Sequence, residues 1–410
     1  MTDPLAAAVQ THLPDATRFL QELVRIPSLP GQEQEAMLFC ERAFAKLGVQ
    51  VERVPLSDAI KQDPDYSDPI PDLRYDGRFN LRVVRKGMGR GKKLLVNAHT
   101  DVVPPSEGMT DPWSGRVENG VLYGRGACDD KGQVAVLWLA LKALDAAGVR
   151  TAGDLVGHLV VEEENGGNGT LAMARTKETA DGCIVLEASE GRLFTSIRGA
   201  VWFRIVFQGV AGHSGQAGQT RSALLMARDA IAALEDYHAA LLAASRGFPL
   251  FDPHPNPMPI TFGRLEAGNW PAAAPSRATM EGVLGLLPNT TKEQVMDGMR
   301  AALDRAADGA LKGCYALTFM YRHDSSVVTP AHPFPRALLD AAEAAGAPLE
   351  VGAMTASCDA WFYNNQLGIP TVVLGAGTLK VAHSKEEQIP LASVAATART
   401  LAAFAQQFCV

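Results

Sequence analysis

The chain has 410 residues, of which 47% are hydrophobic and 20% charged, and this length suggests about two or three domains. Its 38 Lys and Arg residues against 45 Asp and Glu give a formal charge of -7, which argues against nucleic acid or a membrane surface as a partner. No apolar run approaches the roughly 20 residues that a membrane-spanning helix needs. The six cysteines form no CxxC pair, and the N-terminus has no pattern of a signal peptide, so we expect a cytoplasmic enzyme.

The first part of the chain alternates between helical and extended patterns. Apolar residues recur at helical spacing from about residue 15 to 47 and again over 133–147. Short apolar runs bounded by turn residues predict strands at 80–84, 94–98, 155–161 and 184–186. This alternation predicts an α/β fold with a mainly parallel sheet flanked by helices. Catalytic residues of such sheets lie in loops at the carboxyl ends of strands.

A different order begins near residue 194. The pattern predicts two helices within a group of four strands, at 201–207, 221–244, 259–265, 278–286, 292–306 and 315–320. This βαββαβ order is typical of a small α+β sandwich. The α/β pattern then returns, with elements predicted at 334–345, 371–374 and 391–408. We therefore predict a catalytic domain in two parts, 1–194 and 326–410, interrupted by an inserted domain of residues 195–325.

The first polar group at a strand end is His99-Thr100-Asp101. Side chains two residues apart in a strand point to the same face, so His99 and Asp101 would lie together. A metal-bound imidazole usually gives its other ring nitrogen to a carboxylate, which fixes the tautomer, and Asp101 could be that carboxylate. A polar strand end without any metal is the alternative explanation.

A glycine-dense turn from Gly124 to Gly132 precedes the helix predicted at 133–147. It does not match the dinucleotide pattern GxGxxG, because the carboxylate of Asp129 would repel a pyrophosphate. Asp129 and Asp130 could instead cap the helix N-terminus. Cys128 is a poor candidate nucleophile, because the adjacent acids would raise the pKa of its thiol.

Five further candidate ligands follow later strands, namely Glu162, Glu163, Glu164, Glu187 and His383. Successive carboxylates at the end of a buried strand repel one another and are costly to desolvate unless a cation neutralises them. The glycines that follow the three glutamates would also suit a solvated loop. Histidines and carboxylates gathered at successive strand ends are the ligand set of a divalent-metal hydrolase.

The order of these groups, HxD, then GRGxxDxKG, then EE, then a single Glu and a distant His, is more specific than any one of them. It resembles the co-catalytic di-zinc metallopeptidase family of acetylornithine deacetylase, succinyl-diaminopimelate desuccinylase, aminoacylase and carboxypeptidase G. The resemblance covers essentially the whole chain and implies that the inserted domain serves as lid and dimerisation domain. Around Trp270-Pro271 and Cys358-Asp359-Ala360-Trp361 the chain looks most similar to acetylornithine deacetylase-like members.

This resemblance implies two zinc ions per chain, with cobalt or manganese able to replace them. His99 and Glu187 would bind one ion, and Glu164 and His383 would bind the other. Asp129 would bridge the two ions, and a cis peptide bond would follow it. A water activated between the ions would attack the amide.

The remaining positions implied by the resemblance lie around the metals and in the lid. Asp101 would orient the metal-bound imidazole, and Glu163 would be the general base that moves a proton from water to the leaving nitrogen. In the lid, His213 would stabilise the oxyanion or bind substrate in a neighbouring subunit, and Asn269 would contact substrate. Asp359 matches a loop residue near the metal centre.

The implied activity is hydrolysis of an N-acyl amino acid or related small amide. A metallo-exopeptidase of the dipeptidase or carboxypeptidase G type is the alternative, because these enzymes share the motifs. Two further hypotheses are a dimeric binding protein without catalysis and an enzyme with one metal ion or without zinc. The chain departs from many relatives at one place, since Val283 or Leu284 stands where they carry an Arg that grips a substrate carboxylate.

Overall fold

The computed structural model describes residues 3–215 and 218–410. Helices in these residues are α1 (Pro4–Val24), α2 (Gln34–Ala45), α3 (Lys131–Ala146), α4 (Asn168–Arg175), α5 (Ala223–Ala244), α6 (Lys292–Arg305), α7 (Pro333–Ala344) and α8 (Leu391–Phe408). Strands of the first half are β1 (Gln50–Pro55), β2 (Phe79–Arg85), β3 (Leu94–His99), β4 (Arg116–Glu118), β5 (Val121–Tyr123), β6 (Leu155–Val160), β7 (Gly182–Val185), β8 (Arg192–Ile197) and β9 (Gly199–Gln208). Strands of the second half are β10 (Gly212–His213), β11 (Ile260–Ala267), β12 (Ala273–Ala274), β13 (Arg277–Leu286), β14 (Tyr315–His323), β15 (Ser326–Val327), β16 (Glu350–Met354), β17 (Thr371–Val373) and β18 (Gln388–Pro390). No helix of the described residues has the length and apolarity needed to cross a membrane.

The larger sheet has nine strands in the order β1-β2-β6-β3-β7-β17-β8-β15, with β16 paired to β8. Its central strands β6, β3, β7 and β17 run parallel, whereas β1 and β2 are antiparallel at one edge. All six residues of β3 and of β6 are buried, as expected for strands covered by helices on both faces. The predicted α/β fold with a mainly parallel, helix-flanked sheet is confirmed.

The smaller sheet is antiparallel, with the order β11-β13-β9-β14. Alternate residues of β9, from Val201 to Phe207, point at α5 and α6 and are fully buried in a hydrophobic cluster of their own. The elements β9, α5, β11, β13, α6 and β14 follow one another in the predicted βαββαβ order. We call this unit the lid.

The exact division of the chain at residues 194 and 325 stays a prediction. The strand β8 ends at Ile197 and pairs with β15, β16 and β17 of the larger sheet. The chain therefore enters the lid sheet at Gly199, a few residues after the predicted start of the insertion.

The sequence patterns missed some elements. The first helix begins at Pro4, where Asp3 caps it, and not near residue 15. Helix α4 lies in the glycine-rich segment that a solvated loop would also have suited. Gly169 permits this helix to pack closely, because a Cβ at that position would lie 2.1 Å from the carbonyl oxygen of Val161.

Candidate metal centre

The predicted strand-end residues meet at one edge of the larger sheet. His99 is the last residue of β3, Glu163 and Glu164 follow β6, and Glu187 follows β7. These three strands are parallel neighbours, so their carboxyl ends lie side by side. The turn before α3 brings Asp129 to the same place, where its side chain contacts His99.

One group of potential ligands surrounds His99. Its ring Nε2 lies 3.1 Å from Asp129 Oδ1 and 3.8 Å from Glu187 Oε1. These three residues and Asp130 each offer a ligand atom within 4.8 Å of one another, and all four are buried. The arrangement could hold one metal ion.

A second group surrounds His383. Its ring Nε2 lies 3.1 Å from Glu164 Oε1 and 3.2 Å from Asp129 Oδ2. These three residues could hold another metal ion. The two carboxylate oxygens of Asp129 thus face different histidines, which is the geometry that a bridging ligand needs. The side chain of His383 is 53% exposed, so this group borders solvent.

Asp130 occupies the N-cap position of α3, but its side chain makes no capping hydrogen bond. Its Oδ2 instead accepts a hydrogen bond of 2.9 Å from the backbone N–H of His99. The helix-capping explanation for this carboxylate is therefore wrong. The peptide bond between Asp129 and Asp130 is cis, as the resemblance implied.

The charges in this cluster perturb one another strongly. Burial raises the pKa of Glu163 and of Glu187 well above the usual range, and neighbouring carboxylates raise both further. Burial alone would also raise the pKa of Asp129, but hydrogen bonds from His383 and His99 hold it below its usual range. Partial burial of the His383 ring opposes its charged form, yet hydrogen bonds with Asp129 and Glu164 raise its pKa to about 11. So many buried carboxylates favour a bound cation.

Asp101 contacts residues at the carboxyl ends of two neighbouring strands, β3 and β6. The ring Nδ1 of His99 lies 3.0 Å from the backbone oxygen of Asp101 and 3.4 Å from its Oδ1. The carboxylate also accepts backbone hydrogen bonds from Glu163 and Glu164, at 3.2 and 3.0 Å. Both contacts suit a residue that fixes the imidazole and the loop after β6.

The three successive glutamates have different surroundings. Glu162 points into the protein, where it pairs with Arg78 and accepts a hydrogen bond of 2.7 Å from the hydroxyl of Tyr75. Arg78 also pairs with the buried Glu33, at 2.7 Å. The cation that neutralises Glu162 is thus a guanidinium, and only Glu163 and Glu164 face the cluster. No sequence pattern signalled Arg78, which lies 84 residues away from Glu162.

A second buried ion pair supports the loop that carries Asp129. Arg125 pairs with Glu387, and both side chains are at most 1% exposed. The Oε1 atom of Glu387 also accepts hydrogen bonds of 3.3 Å from the backbone N–H groups of Cys128 and Asp129. Both residues lie close to candidate ligands in the sequence, but no sequence pattern predicted a role for either.

The other predicted positions differ in their surroundings. Asp359 is buried, burial raises its pKa to about 6, and its Oδ2 accepts a hydrogen bond of 2.5 Å from the hydroxyl of Thr170. His213 and Asn269 are exposed in the lid. The ring of His213 accepts a hydrogen bond from the amide of Gly215, 3.1 Å away. Within the described part of the chain, neither lid residue hydrogen bonds to the candidate ligand cluster.

Solved structures share the whole fold. The dipeptidase Dug1p of Saccharomyces cerevisiae has a TM-score of 0.81 and 14% identity, covering 99% of this chain and 98% of that one. The Bacillus subtilis YXEP protein, described as a dinuclear metal binding peptidase, has a TM-score of 0.66 and 16% identity, covering 97% and 98%. At these identities the likeness shows the fold alone.

Sequence comparison is more specific. N-formyl-4-amino-5-aminomethyl-2-methylpyrimidine deformylase of Halalkalibacterium halodurans is 26% identical, covering 99% of this chain and 97% of that protein. Succinyl-diaminopimelate desuccinylase of Methylobacterium radiotolerans is 31% identical, covering 73% and 74%. The model of peptidase family M20/M25/M40 matches residues 95–407. The chain belongs to this family and is a metal-dependent hydrolase of amide or peptide bonds.

Proposed function

We propose that this protein is a deacylase that removes an acyl group from the nitrogen of a small amide, using two divalent ions. The observation that carries the proposal is the position of Asp129, whose two oxygens face His99 and His383. The ring nitrogens and carboxylate oxygens around it are ligand types that zinc accepts, and cobalt or manganese would suit them too.

The proposed ligand sets follow from these contacts. His99 and Glu187 would hold one ion, Glu164 and His383 would hold the other, and Asp129 would contact both. Bound there, the ions would polarise a substrate carbonyl and lower the pKa of a water molecule. Their charge would also keep Glu164 and Glu187 ionised despite burial.

Glu163 is the proposed general base. Its Oε2 lies 4.0 Å from His99 Nε2, so the carboxylate borders the cluster while its neighbours fill the ligand positions. It would take a proton from the attacking water and deliver that proton to the leaving nitrogen. Asp101 would hold the imidazole of His99, and its carboxylate, which accepts a hydrogen bond from the backbone N–H of Glu163, would hold Glu163 in place.

The choice of a deacylase over an exopeptidase rests on the relatives. The two sequence relatives described above are named for removal of an N-formyl group and of a succinyl group. Neither name points to acetylornithine as the substrate of this chain. A free N-acyl amino acid or a related small amide is the class that we propose.

The test is release of free amine from N-acetyl, N-succinyl and N-benzoyl amino acids and from dipeptides, before and after chelation. We expect hydrolysis of N-acyl amino acids that stops when metal is removed and returns when it is restored. Faster hydrolysis of dipeptides would favour the exopeptidase. Glu163→Gln should keep its metal and lose roughly 100- to 10,000-fold in turnover. The control Glu190→Gln, which removes a partner of the exposed Lys380, should stay active.

We also propose that the lid mediates a homodimer in which His213 acts on the partner's site. Mixing inactive Glu163→Gln with inactive His213→Ala subunits would then restore activity. In a mixed dimer, one site receives an intact Glu163 and an intact His213 from different chains. If the mixture stays as inactive as its parents although subunits exchange, His213 does not act across subunits.

A further inference from the structure

A cavity of about 380 Å³ lies between the catalytic part of the chain and the lid sheet. Glu164 forms part of its wall, so the cavity adjoins the candidate metal cluster. Pockets that hold small molecules usually measure about 300 to 1,000 Å³. The cavity is therefore large enough for one side of a small amide whose carbonyl lies at the cluster.

Most of its wall is apolar. The catalytic part contributes Ile70, Val103 and Pro104, and the lid contributes Trp202, Val283 and Met320. The Asp- and Pro-rich composition of residues 57–74 is typical of a surface connection, but part of this segment lines the cavity.

Strand alternation explains which lid side chains face the cavity. Along β9, Val201 and Phe203 are buried against the lid helices, so Trp202 between them points to the other face of the sheet. Along β13, Leu284 joins the same buried cluster and Val283 faces the cavity. Val283 pairs directly with Trp202 in the sheet.

The charged groups of the lid wall already have partners. Glu281 Oε1 accepts a hydrogen bond of 2.5 Å from Arg204. The Nη1 atom of Arg264 lies 3.6 Å from Glu281 Oε2, and its Nε donates a hydrogen bond of 3.0 Å to Glu266 Oε1. Two arginines thus meet two glutamates, and the set has no net charge. A substrate carboxylate placed against Val283 would lose its hydration and would have to compete with Glu266 and Glu281 for the nearby arginines.

We infer that this cavity selects an uncharged, apolar group, such as an aromatic ring, on one side of the scissile amide. The inference rests on the proposed function and adds the chemistry of the substrate. The apolar group belongs to either the acyl part or the amine part of the substrate. Two matched pairs of compounds distinguish these two positions.

N-benzoylglycine and N-succinylglycine differ in the acyl part, and N-acetylphenylalanine and N-acetylglutamate differ in the amine part. Burial of a ring should make kcat/KM for the apolar member about tenfold higher or more in one pair. Calorimetric titration of the metal-loaded Glu163→Gln protein should show the same preference in Kd, without turnover.

Arginine introduced into the wall should reverse the preference. Val283→Arg places a cation in the cavity, and we expect the ratio of apolar to anionic kcat/KM to fall at least tenfold. Thr261→Arg is a second variant, because Thr261 also lines the cavity but is exposed and should tolerate the change without loss of folding. The control Val117→Arg, at a position 37% exposed in another sheet, should leave the ratio unchanged.

The outcomes separate the two proposals. Hydrolysis with a preference for the anionic member of both pairs, or an unchanged ratio in both cavity variants, would overturn the inference and leave the deacylase intact. An apolar preference in binding without hydrolysis by the metal-loaded wild-type protein would overturn the deacylase and support the cavity inference.

Discussion

The buried pair of Arg125 and Glu387 should contribute to both stability and metal binding. Arg125→Met would leave the carboxylate of Glu387 buried without its cation, and both side chains are at most 1% exposed in the structure. Loss of one partner of such a pair costs about 3 to 5 kcal/mol. Burial already raises the pKa of Glu387, so proton uptake should place the cost near the lower end of this range.

A double-mutant cycle tests the size of this interaction. Arg125→Met, Glu387→Gln and the double variant would be compared by urea unfolding at fixed pH. The double variant should lose less unfolding free energy than the two single variants lose in sum, and the difference should correspond to a coupling of about 1 to 3 kcal/mol. Arg116→Met is the control, because Arg116 and Glu118 form an exposed pair expected to contribute at most about 1 kcal/mol.

The same variants test whether the pair positions Asp129. Glu387 accepts the backbone N–H of Asp129, so Glu387→Gln should weaken metal binding by about 10- to 100-fold. The reasoning would be refuted if each single variant lowered the free energy of unfolding by less than about 1 kcal/mol, if the two losses were additive, and if metal affinity stayed unchanged.

Two other predictions concern burial. Burial raises the pKa of Glu33 from 4.5 to about 7, against the opposing effect of Arg78. The folded protein therefore binds the proton of Glu33 more tightly than the unfolded chain does. The resulting contribution to the free energy of unfolding is full below about pH 4.5 and is lost as pH rises through about 7. Relative to Glu33→Gln, the wild-type unfolding free energy should fall by roughly 3 kcal/mol between pH 4.5 and 8, and a flat difference would contradict this. Gly375→Ala would place a Cβ 2.2 Å from the carbonyl oxygen of Glu187, whereas a Cβ at Gly89 meets nothing within 4 Å. Thermal unfolding should show a loss of about 1 to 3 kcal/mol for Gly375→Ala and little change for Gly89→Ala, and equal effects would count against the packing argument.

Much of the fold and of the candidate cluster could be predicted because the signals are local. Short continuous apolar runs mark β3 and β6, and apolar patterns of period two and 3.6 mark β9 and α8, all within a few residues of their bounds. Most candidate ligands lie at or just after the ends of strands or open a helix, and parallel strands carry their ends to one edge of the sheet. The strand pattern therefore predicts that candidate ligands gather at one edge of the sheet, and the family resemblance implies that His99, Asp129 and Glu187 are among them.

The remaining features depend on contacts that no local pattern encodes. Glu162 has the same sequence signal as Glu163, and only the approach of Arg78 separates them. Whether Val283 or Leu284 faces the cavity depends on which face of β13 packs against the lid helices. The proposed role of His213 in a partner's site would require a second copy of the chain, which no local pattern of a single chain encodes.

The most direct test of the proposed centre is equilibrium titration of chelator-treated protein with zinc, with metal counted per chain by mass spectrometry. The wild-type protein should bind two ions per chain in the proposed arrangement. Glu187→Ala and Glu164→Ala should each lose one site, and Asp129→Ala should weaken both. If Asp129→Ala weakens only one site, or if the wild-type protein binds a single ion, the bridged centre is contradicted.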